Sequence, residues 1–99
     1  MLNDVLTASE ALEWGLVNEV LPADDLMPRV MEVAQQLASG PTLAYGEAKR
    51  LVADSLSNGL ETQMEMETRA IAGLARASKD TREGVSAFVE KRKPDFKGW

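Results

Sequence analysis

The 99-residue chain contains no cysteine and no histidine. Without cysteine it can form no disulfide and offers no thiolate nucleophile, and this fits a cytoplasmic protein. Without histidine it lacks the commonest general base and the commonest metal ligand, so we expect no metal site. Its seven glycines match neither a dinucleotide-binding fingerprint nor a phosphate-binding loop. These absences exclude several large classes of enzyme.

Long apolar runs and a basic surface are also missing. No stretch approaches the roughly 20 apolar residues that cross a bilayer, and the first residues lack the pattern of a secretory signal. The net charge of -5 argues against a nucleic-acid partner, because phosphate contacts need a basic surface. We therefore expect a cytoplasmic protein without membrane or nucleic-acid contacts, with one domain over residues 1–99.

The chain does contain a series of helix signals. Thr7 and Glu10 form a capping box before a short helix that Gly15 should end. Residues 16–21 read as an extended segment. Apolar residues at helical spacing predict four longer helices, the first of them with Pro28 in its opening turn. The predicted spans are residues 26–39, 41–57, 60–77 and 80–92. The predicted fold class is all-α, with about five helices, one short and four longer.

The last twenty residues combine a second capping pattern with a basic tail. Asp80 and Glu83 have the spacing of a capping box at the start of the last helix. The apolar stripe of that helix comprises Val85, Phe88 and Val89. Four cations follow: Lys91, Arg92, Lys93 and Lys97. A local cationic patch on an acidic protein suits a small anionic ligand, and a solvated basic tail is the plainer alternative.

Four segments, in order, resemble the enoyl-CoA hydratase/isomerase (crotonase) superfamily. Residues 8–20 with Pro22 resemble its A-x-E-A-x-x-x-G-L-V-N-x-V-x-P segment. Gly40–Ala44 with Lys49 resemble the Gly-Pro segment that follows, and Glu65 and Glu67 fall where the next long helix often carries glutamate. The last segment resembles S-x-D-x-x-E-G-x-x-A-F-x-E-K-R-x-P-x-F and comprises Ser78–Asp80, Glu83–Gly84, Ala87–Pro94 and Phe96.

The resemblance implies that the chain is the C-terminal helical region, about the last third, of a longer protein. In the family this region makes the trimer, while the oxyanion hole and the paired glutamates lie upstream of the segment at residues 8–20. The resemblance therefore implies no catalytic residue in this chain, which we expect to be inactive alone, and Met1 is expected to be an engineered or alternative start. No cofactor is expected, because the CoA thioester would be the substrate.

A ligand role for the last helix also follows from the resemblance. In hydratases of the family, an aromatic residue and a lysine there reach the adenine and phosphate end of CoA bound to a neighbouring subunit. The matching positions are Phe88 and Lys91. Their plainer alternatives are core packing for Phe88 and a solvated helix end for Lys91.

The resemblance also suggests how the chain associates and what the longer protein does. It implies a homo-oligomer, of trimer type or with exchanged helices, which contacts acyl-CoA only together with a neighbouring catalytic domain. The longer protein is expected to hydrate trans-2-enoyl-CoA thioesters in fatty-acid metabolism. Two alternatives stay open: a stand-alone, non-catalytic helical interaction module, and a longer protein with another acyl-CoA reaction such as isomerase or thioesterase.

Overall fold

The computed structural model describes residues 3–99, and those residues form five α-helices and no β-strand. The helices are α1 (Ala8–Glu13), α2 (Ala23–Ala38), α3 (Thr42–Asp54), α4 (Leu60–Ala77) and α5 (Lys79–Val89). The predicted all-α fold class is confirmed. No helix in residues 3–99 is long and apolar enough to cross a membrane.

The chain packs as two compact units. The first ends at Val33 and the second comprises Ala34–Trp99, so α2 runs across the boundary between them. The single domain expected over residues 1–99 stays a prediction.

Both ends of α1 in the first unit follow the sequence signals. The Thr7 amide donates to Glu10 Oε2 at 2.8 Å, and the Glu10 amide donates to Thr7 Oγ1 at 3.3 Å, which confirms the capping box. At the other end Gly15 has a φ of +71°. The Gly15 amide donates to the Leu12 carbonyl at 3.0 Å and the Leu16 amide to the Ala11 carbonyl at 2.8 Å. This pair of bonds is a Schellman motif, which explains why the helix ends at the glycine.

Helix α2 begins three residues earlier than predicted. Its first turn contains Asp24 and Asp25, whose charges are favourable at the positive end of the helix dipole. Pro28 therefore lies beyond the first turn, and the Asp24 carbonyl has no amide partner four residues on. The prediction was wrong because it used the proline to place the helix start, while the acidic residues before it already belong to the helix.

The segment before α2 contains no β-strand, and the chain bends at residues 16–18, the first half of the extended segment predicted for residues 16–21. Arg29 holds this segment to α2 instead. Its guanidinium donates to both carboxylate oxygens of Glu19, at 2.9 and 2.7 Å, and to Glu32 at 2.7 Å. The Arg29 contact lowers the pKa of Glu19. An exposed ion pair thus links this segment to α2.

In the second unit α3 packs against α4, and α4 packs against α5. Helix α4 has the bounds that the sequence predicts, whereas α3 ends three residues earlier, at Asp54. Polar side chains hold the turn between these two helices: Gln63 Nε2 donates to the Leu51 carbonyl at 3.1 Å, and Asn58 Nδ2 donates to Gln63 Oε1 at 3.2 Å. Before α3, Gly40 is buried under the Tyr45 ring, which a Cβ at this position would overlap.

The buried core is small. Among residues 3–99, Ala87 is the one hydrophobic side chain that is buried, with 1% of its surface exposed, and it is joined by the polar residues Ser78 and Asp80. The apolar stripe that the sequence predicts for α5 is exposed, with Phe88 85% accessible and Val89 72% accessible. The two residues that α5 buries, Asp80 and Ala87, lie outside this stripe.

Candidate functional site

Helix α5 presents both residues of the predicted ligand site at its C-terminal end. Phe88 lies in its last turn, and Lys91 follows the helix with a φ of +53°. The Lys91 amide donates to the Phe88 carbonyl at 3.3 Å and the Arg92 amide to the Ala87 carbonyl at 3.0 Å. This is again a Schellman motif, but with lysine where glycine is favoured. The left-handed conformation costs an ordinary residue about 1 kcal/mol.

Phe88 is exposed and lines an open groove of about 380 Å³. The groove is mainly apolar, and its lining is Pro41, Ala44, Ser78, Asp80, Thr81, Gly84, Val85, Phe88 and Phe96. Its volume falls in the range that small-molecule sites occupy. Core packing, the plainer alternative for Phe88, is therefore wrong within this chain, and the ring is accessible to a ligand or to another subunit.

The cationic patch is smaller in the structure than in the sequence. Arg92 pairs with Glu83 and Glu90, and Lys97 pairs with Asp95 at 2.8 Å, so these two cations are already neutralised. Within residues 3–99 neither Lys91 nor Lys93 has a carboxylate oxygen within 4.0 Å. Lys91 does not line the groove. It is an exposed, unneutralised cation just beyond the end of the helix that supplies Phe88 to the groove.

Asp80 holds the returning C-terminal tail instead of capping its own helix. Its Oδ1 accepts a hydrogen bond from the Lys97 amide at 2.8 Å, and its Oδ2 accepts one from the Gly98 amide at 2.7 Å. The residue is buried, with 4% of its surface accessible. A carboxylate that accepts two amide bonds suits such burial, because its charge is satisfied.

Glu83 makes the second tail contact, one helical turn further along. Its carboxylate accepts both terminal guanidinium nitrogens of Arg92 and, at 2.8 Å, the Asp95 amide. The hydrogen bonds from the Arg92 guanidinium, which have the larger effect, and from the Asp95 amide lower the pKa of Glu83 from 4.5 to about 2. Because this pairing is bidentate, it fixes the orientation of the Arg92 side chain relative to Glu83 and also contributes binding energy.

The end of the tail covers the first turn of α5. The Trp99 main-chain oxygen accepts the Lys79 amide at 2.9 Å, the Asp80 amide at 3.2 Å and the Ser78 hydroxyl at 3.3 Å. These bonds replace the side-chain cap, which Ser78 does not supply. The Lys79 ammonium lies 3.4 Å from the centroid of the Trp99 ring, a cation–π contact. The tail thus satisfies two of the free amides at the helix start, those of Lys79 and Asp80.

Sequence reasoning missed these tail contacts. The spacing of Asp80 and Glu83 predicts a capping box, and that prediction is wrong, because both carboxylates bind the tail. The available signal was Pro94, which cannot continue a helix and lies where the chain, after α5 has ended at Val89, turns back over it. Helix spacing then places Asp80, Glu83 and Gly84 on one face, where a returning segment could contact all three.

The two glutamates of α4 that the family resemblance singled out, Glu65 and Glu67, have structural partners. Glu65 accepts a hydrogen bond from Arg69 at 2.6 Å, and Glu67 accepts one from Gln63 at 3.1 Å. Residues 3–99 hold no cluster of acidic side chains that could bind a metal ion. No pair of carboxylates from this part of the chain converges on the groove, where Asp80 is occupied by the tail.

The comparisons with known proteins now identify the class of protein. The sequence model described as enoyl-CoA hydratase/isomerase matches residues 1–99. The chain belongs to the enoyl-CoA hydratase/isomerase family. It is 39% identical over 98 residues to the 1,2-epoxyphenylacetyl-CoA isomerase of Escherichia coli K12, covering 99% of this chain and 37% of that protein.

Two further relatives support the same assignment. The crotonyl-CoA hydratase of Syntrophomonas wolfei is 37% identical over 93 residues, which are 94% of this chain and 35% of that protein. The crystal structure of an enoyl-CoA hydratase from Bacillus anthracis superposes with a TM-score of 0.82 at 38% identity, covering 93% of this chain and 35% of that one. The chain thus spans little more than a third of the length of the relatives that it matches.

Proposed function

We propose that this chain is the C-terminal helical region of an enoyl-CoA hydratase/isomerase, where it mediates self-association and completes the CoA pocket of a neighbouring subunit. One observation carries the proposal. The family model matches all of residues 1–99, yet the chain covers only 35–37% of the length of the relatives that it matches. The predicted site residues, Phe88 and Lys91, are the ligand contacts in this proposal.

The amount of exposed surface supports an association role. Two separate compact bodies with the sizes of the two units would expose roughly 6,600 Å² by the usual scaling of surface with mass. The chain exposes 8448 Å², about 1,800 Å² more than this scaling gives. A standard interface buries about 800 Å² on each partner. The unpartnered surface is therefore large enough for contacts with a second copy and with further protein.

The location of exposed apolar side chains agrees with this role. On the α3–α4 pair, Val52 and Ile71 are each 69% accessible and line a second groove of about 350 Å³. Apolar surface of this kind, rimmed by Gln63 and Glu67, is typical of a protein interaction site. It favours self-association through the α3–α4 pair.

The conformation of Lys91 supports a role for its side chain. Gly15 and Lys91 occupy the same position in two Schellman motifs, and only the glycine adopts it without strain. A strained backbone position is a reason to look for function. Lys91 is also unpaired in the described part of the chain, so its charge is available to a phosphate.

For the longer protein we propose hydration of a trans-2-enoyl-CoA thioester. The isomerase reaction is the second candidate, because a CoA-thioester isomerase is 39% identical to this chain and a crotonyl-CoA hydratase 37%. The helical region does not separate the two reactions, since residues 3–99 bring no pair of carboxylates together on the groove. The chain alone should hydrate crotonyl-CoA at the background rate, and clear turnover would contradict the assignment of catalysis to another region.

Sedimentation velocity tests self-association. Ile71→Glu places a charge in the exposed α3–α4 surface and should shift the chain towards monomer. Thr62→Glu is the matched control, because nine residues at about 100° each put it on the opposite side of α4 while it adds the same charge. A wild-type chain that stays monomeric at high concentration would contradict the proposal, and equal behaviour of the two variants would exclude the α3–α4 surface.

A further inference from the structure

The C-terminal tail runs back along α5, antiparallel to the helix. Asp95 contacts Glu83, Lys97 and Gly98 contact Asp80, and the chain then reaches the start of the helix. The order of contacts along the tail is therefore the reverse of their order along α5. All of these contacts lie in the second compact unit.

This course places a second aromatic ring in the groove. Phe96 Cε1 lies 3.5 Å from the position that a Cβ would occupy on Gly84, so the ring rests on the bare helix backbone. Phe96 and Phe88 then both line the groove, one from the tail and one from the helix. Without the docked tail, the groove would lose the wall that Phe96 supplies.

The two carboxylates leave the tail little freedom. Both oxygens of Asp80 accept main-chain amides, and both oxygens of Glu83 are occupied by Arg92 and Asp95. An asparagine or glutamine could accept on one side only, and its amide group would oppose a donor on the other. Each acid therefore acts on the aromatic wall of the groove through the tail that it binds.

We infer that Asp80 and Glu83 are positioning residues, which hold the C-terminal tail so that Phe96 forms one wall of the groove beside Phe88. The inference rests on the proposed function for the claim that the groove serves a ligand or a neighbouring subunit. Its structural content, the dependence of Phe96 on two carboxylates, is independent of that claim.

Fluorine NMR tests this dependence directly, because the chain contains only two phenylalanines. The full chain labelled with 4-fluorophenylalanine should give two resonances, which Phe88→Leu and Phe96→Leu assign. Asp80→Asn and Glu83→Gln should each move the Phe96 resonance most of the way to its position in urea. The Phe88 resonance and the far-UV circular dichroism should stay close to wild type, which separates tail release from unfolding.

Gly98→Ala disturbs the contact between Asp80 and the tail by a change in the tail itself. Gly98 has a φ of +79°, and a Cβ there would lie 2.7 Å from Thr42 Oγ1, so alanine should displace the tail without changing either carboxylate. It should reproduce the Phe96 shift. A Phe96 resonance that stays at its wild-type position in all three variants would overturn the inference. Sedimentation of the same samples measures self-association separately. A chain that stays monomeric would contradict the proposed function without changing the result for Phe96.

Discussion

Helix α5 with its tail and the α3–α4 pair stabilise themselves in opposite ways. The face of α5 that meets the tail carries Asp80, Glu83, Gly84 and Ala87, spaced three and four residues apart along the helix. These are small or charged residues. On the α3–α4 pair several apolar residues are largely exposed: Val52, Met64 and Ile71 are 69%, 58% and 69% accessible.

The difference shows that polar contacts order the chain where apolar burial is scarce. Hydrogen bonds to charged groups contribute about 1.5–3 kcal/mol each when they are sheltered, and the two that buried Asp80 accepts from the tail are of this kind. The exposed apolar residues make no such contribution in this chain, since a side chain of this type contributes about 1.5–3 kcal/mol only when it is fully buried. The α5 region thus combines a polar face that binds the tail with an exposed apolar stripe, Val85, Phe88 and Val89, whereas the α3–α4 pair exposes apolar residues and makes no tail contact of this kind.

The largest predicted effect is the loss of the Asp80 carboxylate. Asp80→Ala should lower the free energy of unfolding by about 2–4 kcal/mol, because two tail amides lose their acceptors. The control is Glu61→Ala, which removes an exposed acid from the first turn of α4 and should cost about 0.5 kcal/mol. Urea unfolding at one protein concentration measures both values. Equal losses of unfolding free energy in the two variants would mean that Asp80 on α5 is no more important for stability than an exposed acid on α4.

The same comparison shows what the sequence could and could not predict. Helix α4 and the α1 capping box follow from local signals, the apolar period and a hydroxyl three residues before a glutamate. The roles of Asp80 and Glu83 do not, because a capping box and a tail contact require the same spacing. Their partners lie up to 18 residues away, and local propensity does not specify a contact at that range.

The candidate site was predictable only in part. Family resemblance identified Phe88 and Lys91, and the structure makes both accessible. The exposure of Phe88 was not predictable, since periodicity locates an apolar face without saying what covers it. The position of Phe96 and the groove depend on the return of the tail, a contact between distant residues that local sequence patterns do not specify.

Gly98→Ala should have the next largest effect. A non-glycine residue at a φ of +79° is strained, and its Cβ would collide with Thr42. We expect a loss of about 1–2 kcal/mol, measured by urea unfolding. Gly73→Ala is the control, because no atom lies within 4 Å of the position that a Cβ would occupy there and alanine is favourable inside a helix. A loss of the same size at Gly73 would show that the tail contact does not explain the result.

Acid should release the tail through Glu83. Its pKa is about 2 in the folded chain and 4.5 when unpaired, so it stabilises the docked tail fully above about pH 4.5. That contribution is lost as the pH falls from 4.5 towards 2. Glu83→Gln should remove this part of the acid transition, followed by Trp99 fluorescence in a Trp14→Phe background. An acid transition of unchanged size in Glu83→Gln would assign it to other groups.

Lys91→Gly should stabilise the chain slightly. Glycine relieves the left-handed strain at φ +53°, and after its own entropy cost we expect a gain of about 0.5–1 kcal/mol. The reciprocal variant, Gly15→Lys, should lose a similar amount at the equivalent position. Thermal unfolding measures both. A loss of stability in Lys91→Gly would mean that the lysine side chain contributes to the fold itself, which would weaken its assignment as a ligand residue.

The smallest effect on stability is predicted for Ile71→Ala. This variant is therefore the sharpest test of the difference between the α3–α4 pair and α5 with its tail. Because Ile71 is 69% exposed, its truncation should change unfolding in dilute solution by no more than about 0.5 kcal/mol. The same variant should weaken self-association measured by sedimentation at high concentration. A dilute-solution loss as large as that of Asp80→Ala would show that the α3–α4 surface already stabilises the isolated chain. The two regions would then differ in chemistry but not in how they are stabilised.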